Sequence, residues 1–320
     1  MTNGFVGYST TMFRPRRLEM CGELFRSRRY PDVKDPSVAF DGTTWHVFGT
    51  GCGLPGGLEI FHWTAPTLDG PWAEQRPAEL VGVDVIANAA APGVICDGAT
   101  IHMFLHHDFN ILGGHIEHLV SEDHGLTFVH EGTALESVAG SCEAGVYDPD
   151  PALIDGWPYL TYAAMSKIGQ PDLFLARSAS GSWDGPWERC GRVLGHHEVE
   201  YHNQLDDEDY EWGLEGPQLL ELPDGRVLLT AVCFLAEHPR GSRQRVLLAV
   251  ADDPAGPYGL LGPILEPSVR GGENGHGTSV VEDGAVRVIY QERAGDGRRW
   301  HVRSAITQLE AASATLRKAG

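Results

Sequence analysis

DPDPALIDGWPYLTYAAM, at residues 148–165, contains the pattern that decides the fold of this 320-residue chain. An acidic or small residue is followed by Pro or Gly, a short apolar run, an Asp-Gly turn and a second apolar run. Copies of this pattern, or near equivalents, begin at four other places, as DPSVAFDGTTWHVFGTG (35–51), APGVICDGATIHMFLHH (91–107), EGPQLLELPDGRVLLTAV (215–232) and GHGTSVVEDGAVRVIYQER (275–293). The copies start roughly 55–70 residues apart, a length that accommodates the four strands and turns of one propeller blade. The sequence therefore predicts an all-β fold, a five-bladed β-propeller in a single domain.

A second element recurs between the copies, as in DLFLARSASGSWDGPW at residues 172–187. It consists of an apolar strand, a polar turn and a Gly-Pro-aromatic corner or its equivalent. Each blade is therefore expected to run from an inner strand through an Asp-Gly hairpin to a second and third strand, and then past the corner to an outer strand. The propeller is predicted to occupy residues 31–305. Part of residues 1–30 is expected to pair with the last blade and close the ring, and residues 306–320 are predicted to form a short C-terminal helix or tail.

The composition excludes two classes of partner. The chain has a formal charge of −20, whereas nucleic acids and anionic membrane surfaces are bound by basic proteins. No run of apolar residues reaches the length of a membrane span, and the first 17 residues lack the apolar core of a signal peptide. We therefore expect a cytoplasmic protein, whose oligomeric state the sequence leaves unknown.

Three of the five copies begin with a carboxylic acid, namely Asp35, Asp148 and Glu215. A propeller brings the equivalent points of its blades to one central axis, so these acids are expected to meet in one pocket. Glycosidic cleavage with inversion needs a protonated acid for the leaving oxygen and an ionised base for the attacking water. A third acid next to the donor raises the donor's pKa and orients it. The longer Glu215 fits the donor, Asp35 the base and Asp148 the third acid.

These motifs resemble those of glycoside hydrolase family 43 and its five-bladed relatives, such as families 62, 32 and 130. Asp-Pro-Ser-Val, the mid-chain Asp-Pro, Glu-Gly-Pro-Gln and the late Gly-His-Gly carry the resemblance over about residues 31–305. It implies that Asp35 is the general base, Glu215 the general acid and Asp148 the residue that modulates the acid's pKa, with Asp150 of the tandem Asp-Pro pair as the alternative. It also implies that His276 lies near the axis, close to a bound water or calcium ion, and that no other cofactor is required. The expected substrates are arabinosides, xylosides or galactosides.

Further residues are candidates for substrate binding. His276 lies between two glycines, Trp212 lies in a polar insertion just before Glu215, and His106 follows the second strand of blade two. Arg14 belongs to the arginine-rich N-terminal segment. The second copy departs from the family, because it opens Ala-Pro-Gly where the family often has Ala-Pro-Asp, so a substrate-binding acid is missing from this position.

Other functions stay open at this point. The expected absence of an export signal favours a small or already imported substrate. The same acid and base could instead catalyse dehydration, cyclisation or transfer on another metabolite. A glycoside phosphorylase would use phosphate in place of water. A non-catalytic carbohydrate-binding propeller is disfavoured, because a pure binder does not need a proton donor and a base.

Overall fold

The structure, a computed structural model, describes residues 18–83, 89–108, 112–166, 170–199, 213–235, 243–263, 265–269, 271–293 and 299–308. The predicted C-terminal helix or tail lies almost entirely outside these residues. The described residues form β-strands, turns and one 3-10 turn at His196–Glu198, so the all-β prediction is confirmed. No helix among them is long and apolar enough to cross a membrane.

The strands form five sheets, and each sheet is one blade of a propeller. From the innermost strand outwards, blade one consists of β2 (Asp32–Phe40), β3 (Trp45–Leu54), β4 (Gly57–Ala65) and β5 (Ala73–Glu74). Blade two consists of β7 (Ala90–Asp97), β8 (Thr100–His107), β9 (His115–Ser121), β10 (Thr127–Glu136) and β6 (Glu79–Val81), which runs parallel to β10. Blade three consists of β11 (Gly145–Ile154), β12 (Trp157–Met165), β13 (Asp172–Ser178) and β14 (Trp187–Leu194). Blade four consists of β15 (Glu215–Glu221), β16 (Val227–Leu235), β17 (Arg243–Ala251) and β18 (Gly259–Pro263). Blade five consists of β19 (Glu273–Glu282), β20 (Ala285–Arg293), β21 (His301–Gln308) and the N-terminal β1 (Glu19–Phe25).

The ring is held together by packing between neighbouring blades. Strand β1 pairs with β21, so the outermost strand of the last blade comes from the beginning of the chain. The five inner strands β2, β7, β11, β15 and β19 contact one another in turn, and β19 contacts β2. Five apolar clusters fill the spaces between adjacent blades, one cluster to each space. The three inner strands of each blade bury side chains on both of their faces, which explains why their sequences are nearly continuous apolar runs.

Every inner strand contains a β-bulge at the equivalent place. The residue at the bulge has a positive φ in each blade: 55° at Asp35, 47° at Ala91, 49° at Asp148, 52° at Gly216 and 32° at His276. A bulge adds a residue without a ladder partner and re-aims its side chain. Positive φ is unfavourable for residues other than glycine and is concentrated at functional sites. The repeated bulge is thus the structural device that directs one residue of each blade towards the axis.

This register corrects one part of the sequence interpretation. Gly216, not Glu215, is the fourth-blade equivalent of Asp35 and Asp148. Glu215 lies one residue earlier, and its backbone still pairs with Val232. The signal that identifies the register is the proline that follows the bulge residue in blades one to four, because Gly216 precedes Pro217 as Asp35 precedes Pro36.

The preceding blade provides a hydrogen-bond acceptor for three of these bulges. The backbone N–H of Asp35 donates to Gln291 at 2.8 Å, and that of Ala91 donates to Thr50 at 2.9 Å. The N–H of Asp148 donates to Nδ1 of His106 at 3.1 Å. A buried N–H without an acceptor is costly, so these side chains stabilise the bulges and fix their positions.

Candidate active site

The five bulge residues line one narrow cavity at the propeller axis. Its volume is about 30 Å³, enough for one or two water molecules. The remaining lining residues are Pro36, Ser37, Pro92, Pro149, Asp150, Pro217, Gln218 and Gly277. The structure therefore brings Asp35, Asp148, Asp150 and His276 to one point, and Glu215 reaches it from beside Gly216.

The imidazole of His276 is at the centre of the acids. Its Nδ1 is 3.3 Å from Oδ1 of Asp35, and its Nε2 is 3.4 Å from Oδ2 of Asp148 and 3.7 Å from Oε2 of Glu215. Burial opposes protonation of this ring, but the negative charges of Asp148, Asp35 and Glu215 outweigh it and raise the pKa of His276 to about 9. At neutral pH the site is therefore organised around an imidazolium ion.

Gly216 makes room for this imidazolium. A Cβ atom on residue 216 would lie 2.8 Å from Nδ1 of His276 and 3.1 Å from Cε1 and Cγ. Its backbone N–H also donates to Oδ2 of Asp148 at 3.2 Å. Glycine at this bulge therefore permits both the approach of the ring and the hydrogen bond to the acid.

Asp148 and Asp150, the two acids of the tandem Asp-Pro pair, are in different electrostatic states. Burial disfavours a charge on Asp148, but the nearby His276 and His106 outweigh it and lower its pKa. Burial raises the pKa of Asp150 well above its usual value, and the contact with Ser37 at 3.4 Å opposes this only partly. Asp148 is therefore an ionised carboxylate beside Glu215 and His276, whereas burial favours the uncharged form of Asp150, which lines the same cavity.

Asp35 and Glu215 are on opposite sides of the His276 ring, so they are not in contact with each other. The side chain of Glu215 is 25% exposed and that of Asp35 only 9%. Among the described residues, Oδ1 of Asp35 makes no hydrogen bond, and its contact with Nδ1 of His276 at 3.3 Å is an ion pair. The more open acid can reach a bound molecule, and the enclosed one can accept a proton from a small molecule such as water.

Lys34 is a charged residue of this site that the sequence interpretation missed. Asp35 raises its pKa most, Glu215 and Asp148 add to the effect, and burial opposes it. The ammonium group is therefore held in its charged form near the three acids. The sequence signal that could have identified Lys34 is its position directly before the first Asp-Pro pair.

Of the other predicted binding residues, the structure describes His106 but not Trp212 or Arg14. The side chain of His106 is 2% exposed and lies behind Asp148, where its Nδ1 accepts the Asp148 N–H. This geometry gives His106 the role of positioning Asp148, and its contact with a substrate stays a prediction. Trp212 and Arg14 lie outside the described residues, and their roles stay predictions.

The expected calcium ion can be tested against the residues present. Asp148, Glu215 and His276 each offer one ligand atom, all within 4.8 Å of one another. Calcium takes six to eight oxygen ligands, whereas His276 offers a ring nitrogen. The group therefore does not fit direct calcium binding through His276, and contact through a water stays a prediction.

Comparisons with known proteins identify the fold. No protein-family model and no curated protein sequence matches this chain. Solved structures do match. The catalytic domain of the Coprinopsis cinerea family 62 α-L-arabinofuranosidase has a TM-score of 0.64 at 14% identity, with 93% of this chain and 99% of that chain covered. A thermostable family-43 glycoside hydrolase has a TM-score of 0.63 at 18% identity, covering 89% and 92% of the two chains.

The Cellvibrio cellulosa α-L-arabinanase, solved in complex with arabinohexaose, is also similar. Its TM-score is 0.62 at 16% identity, with 87% of this chain and 92% of that chain covered. At such identities the likeness shows the fold alone. It confirms the five-bladed propeller of the family 43 and 62 type that the motifs predicted.

Proposed function

We propose that the protein is a glycoside hydrolase that cleaves a glycosidic bond with inversion at the anomeric carbon. The observation that carries the proposal is the convergence of Asp35, Asp148 and Glu215, from three blades, on the imidazole of His276 at the propeller axis. The fold supports it, because this is the fold of arabinanases and arabinofuranosidases. The proposed substrates are small arabinosides, with xylosides and galactosides as the next candidates.

Each acid has a role that its surroundings favour. Glu215, the most exposed, donates a proton to the leaving oxygen. Asp35 accepts a proton from the attacking water on the other side of the sugar. Separate positions on the two sides of His276 leave room for that water, as inversion requires and direct displacement by a carboxylate does not.

Asp148 acts on Glu215 and does not contact the sugar in this proposal. A carboxylate beside a proton donor favours the donor's protonated form. Asp148 is ionised because His276 and His106 stabilise its charge. Its hydrogen bond from the Gly216 N–H holds it against the residue that follows Glu215 in the chain.

Leaving groups of different basicity test the two catalytic roles separately. Initial rates are measured on a 4-nitrophenyl arabinofuranoside and on an arabino-oligosaccharide. Glu215→Gln is expected to lose about 10²–10⁴-fold in kcat on the oligosaccharide, whose alkoxide needs a proton, and much less on the nitrophenyl substrate. Asp35→Asn is expected to lose a similar factor on both substrates, because each needs an activated water.

Asp224→Asn is the matched control, since Asp224 lies in the distal hairpin of the same blade as Glu215. NMR of the first-formed product anomer reports inversion, and omission of phosphate distinguishes hydrolysis from phosphorolysis. The proposal fails if Glu215→Gln keeps full turnover on both substrates. Sugar binding without any turnover would identify a carbohydrate-binding propeller instead.

A further inference from the structure

A second cluster of metal-ligating side chains lies on blade two, outside the acid site. His107 and His115 are directly opposite each other on β8 and β9, with ring centroids 4.9 Å apart. Asp108 follows His107, and its Oδ2 is 3.7 Å from Nδ1 of His107. The three residues each present one ligand atom, all within 4.8 Å of one another.

The surrounding residues orient His115. Oε1 of Glu117 is 2.9 Å from Nε2 of His115, and the other oxygen of Glu117 is 2.9 Å from Nε2 of His130. An imidazole that donates one N–H to a carboxylate keeps a lone pair on its other nitrogen, the arrangement found behind metal-bound histidines. Glu117 is buried at 7% exposure, so this support is fixed.

The spacing suits a tetrahedral ion. With zinc–ligand distances of about 2.0–2.2 Å, neighbouring ligand atoms of a tetrahedral site are about 3.4 Å apart. The distance between His107 and Asp108 is close to that value. Two imidazoles and one carboxylate are ligands that zinc-class ions accept, with a fourth position left for water.

We propose that His107, His115 and Asp108 form a binding site for a divalent transition metal ion of the zinc class. The ion joins the ends of β8 and β9 on the face of blade two that packs against blade one, because Leu105 on the same face belongs to that interface. His106 points to the opposite face, where it holds Asp148. The site is therefore distinct from the acid cavity, although it is one residue away from the side chain that positions Asp148.

Cobalt(II) titration of untagged, chelator-treated protein tests this proposal directly. We expect one Co²⁺ per chain with the visible absorption of a tetrahedral N,O site, displaced by Zn²⁺, and a higher unfolding temperature in the presence of Zn²⁺. His115→Ala and Asp108→Asn should each weaken binding at least tenfold. Glu117→Gln should weaken it about 10–100-fold, the usual effect of losing such a supporting carboxylate.

Asp108→Asn is the variant that we expect to fold like the parent protein, because Asp108 is exposed and asparagine tolerates its positive φ of 61°. His124→Ala is the control, since His124 is an exposed histidine of the same blade, and it should bind like the parent protein. The proposal is overturned if no saturable binding is seen, or if binding is unchanged in both the His115 and Asp108 variants. Loss of the Co²⁺ signal in Glu215→Gln alone would also overturn it, because it would assign the ion to the acid cavity.

Discussion

Replacing His276 with glutamine tests the electrostatic centre of the site. The ring faces Asp35, Asp148 and Glu215 at 3.3–3.7 Å, and its side chain is only 10% exposed. Their charges outweigh the cost of burial and raise its pKa from 6.5 to about 9. A difference of this size corresponds to about 3 kcal/mol of stability, at about 1.4 kcal/mol for each pKa unit.

The way in which this stability changes with pH follows from proton binding. A histidine whose pKa is raised on folding contributes stability that is fully present below pH 6.5 and is lost as the pH rises through about 9. Other buried histidines do not interfere, because burial lowers the pKa of His62 to about 3 and that of His118 to about 4. Those two begin to destabilise the folded state only as the pH falls below 6.5, because the unfolded chain then binds protons that the buried imidazoles do not.

The assay is urea unfolding of the parent protein and His276→Gln between pH 6 and 10. The difference in unfolding free energy between the two should be largest near pH 6 and should shrink by about 3 kcal/mol by pH 10. Subtracting the two curves cancels the ionisation of cysteines and tyrosines. Asp224→Asn should give a pH profile parallel to the parent, because Arg226 lowers the pKa of Asp224 and this carboxylate stays ionised between pH 6 and 10. Parallel curves for the parent and His276→Gln would refute the imidazolium-centred site.

Two glycine substitutions test the packing around the cavity. Gly216→Ala would place a Cβ 2.8 Å from Nδ1 of His276, so kcat on the best glycoside should fall at least tenfold. Gly225→Ala is the control, because Gly225 also has a positive φ but has open space around it. This control should lose about 1 kcal/mol of stability and leave kcat unchanged. Equal kcat values in the two variants would contradict the role of Gly216. Gly93→Ala would place a Cβ 2.3 Å from the carbonyl oxygen of Pro149 and should lower the free energy of unfolding by about 3 kcal/mol. Gly56→Ala, where a Cβ meets no atom within 4 Å, should lower it by about 0.5 kcal/mol or less in the same urea assay. A neutral Gly93→Ala would show that blades two and three do not meet as described.

The fold was predictable because each blade repeats the same local signals. An inner strand that opens with Pro or Gly and ends in an Asp-Gly turn predicts a hairpin at that place. Five copies of this hairpin at regular spacing predict five similar sheets arranged in a ring. The pairing of β1 with β21 could be expected only as a means of closing that ring. The sequence of residues 19–25 shows no equivalent of the repeated phrase.

The site was less predictable, because its states depend on distances between blades. Asp148 and Asp150 are both followed by proline, yet the pKa of the first is lowered and that of the second is raised. The difference arises from His276 and His106, which come from blades five and two. The protonation of His276 depends in the same way on acids from three other blades. No local pattern contains that information.

Gly93 of blade two is packed directly against the tandem Asp-Pro pair of blade three. A side chain at residue 93 would begin 2.6 Å from Cα of Asp150, so no aspartate fits at that position beside this backbone. Asp150 itself lines the cavity, and burial keeps its carboxyl uncharged. A neutral carboxyl both donates and accepts hydrogen bonds, as recognition of a sugar hydroxyl requires. Asp150 of blade three therefore provides a polar group in the wall of the cavity beside Gly93 of blade two.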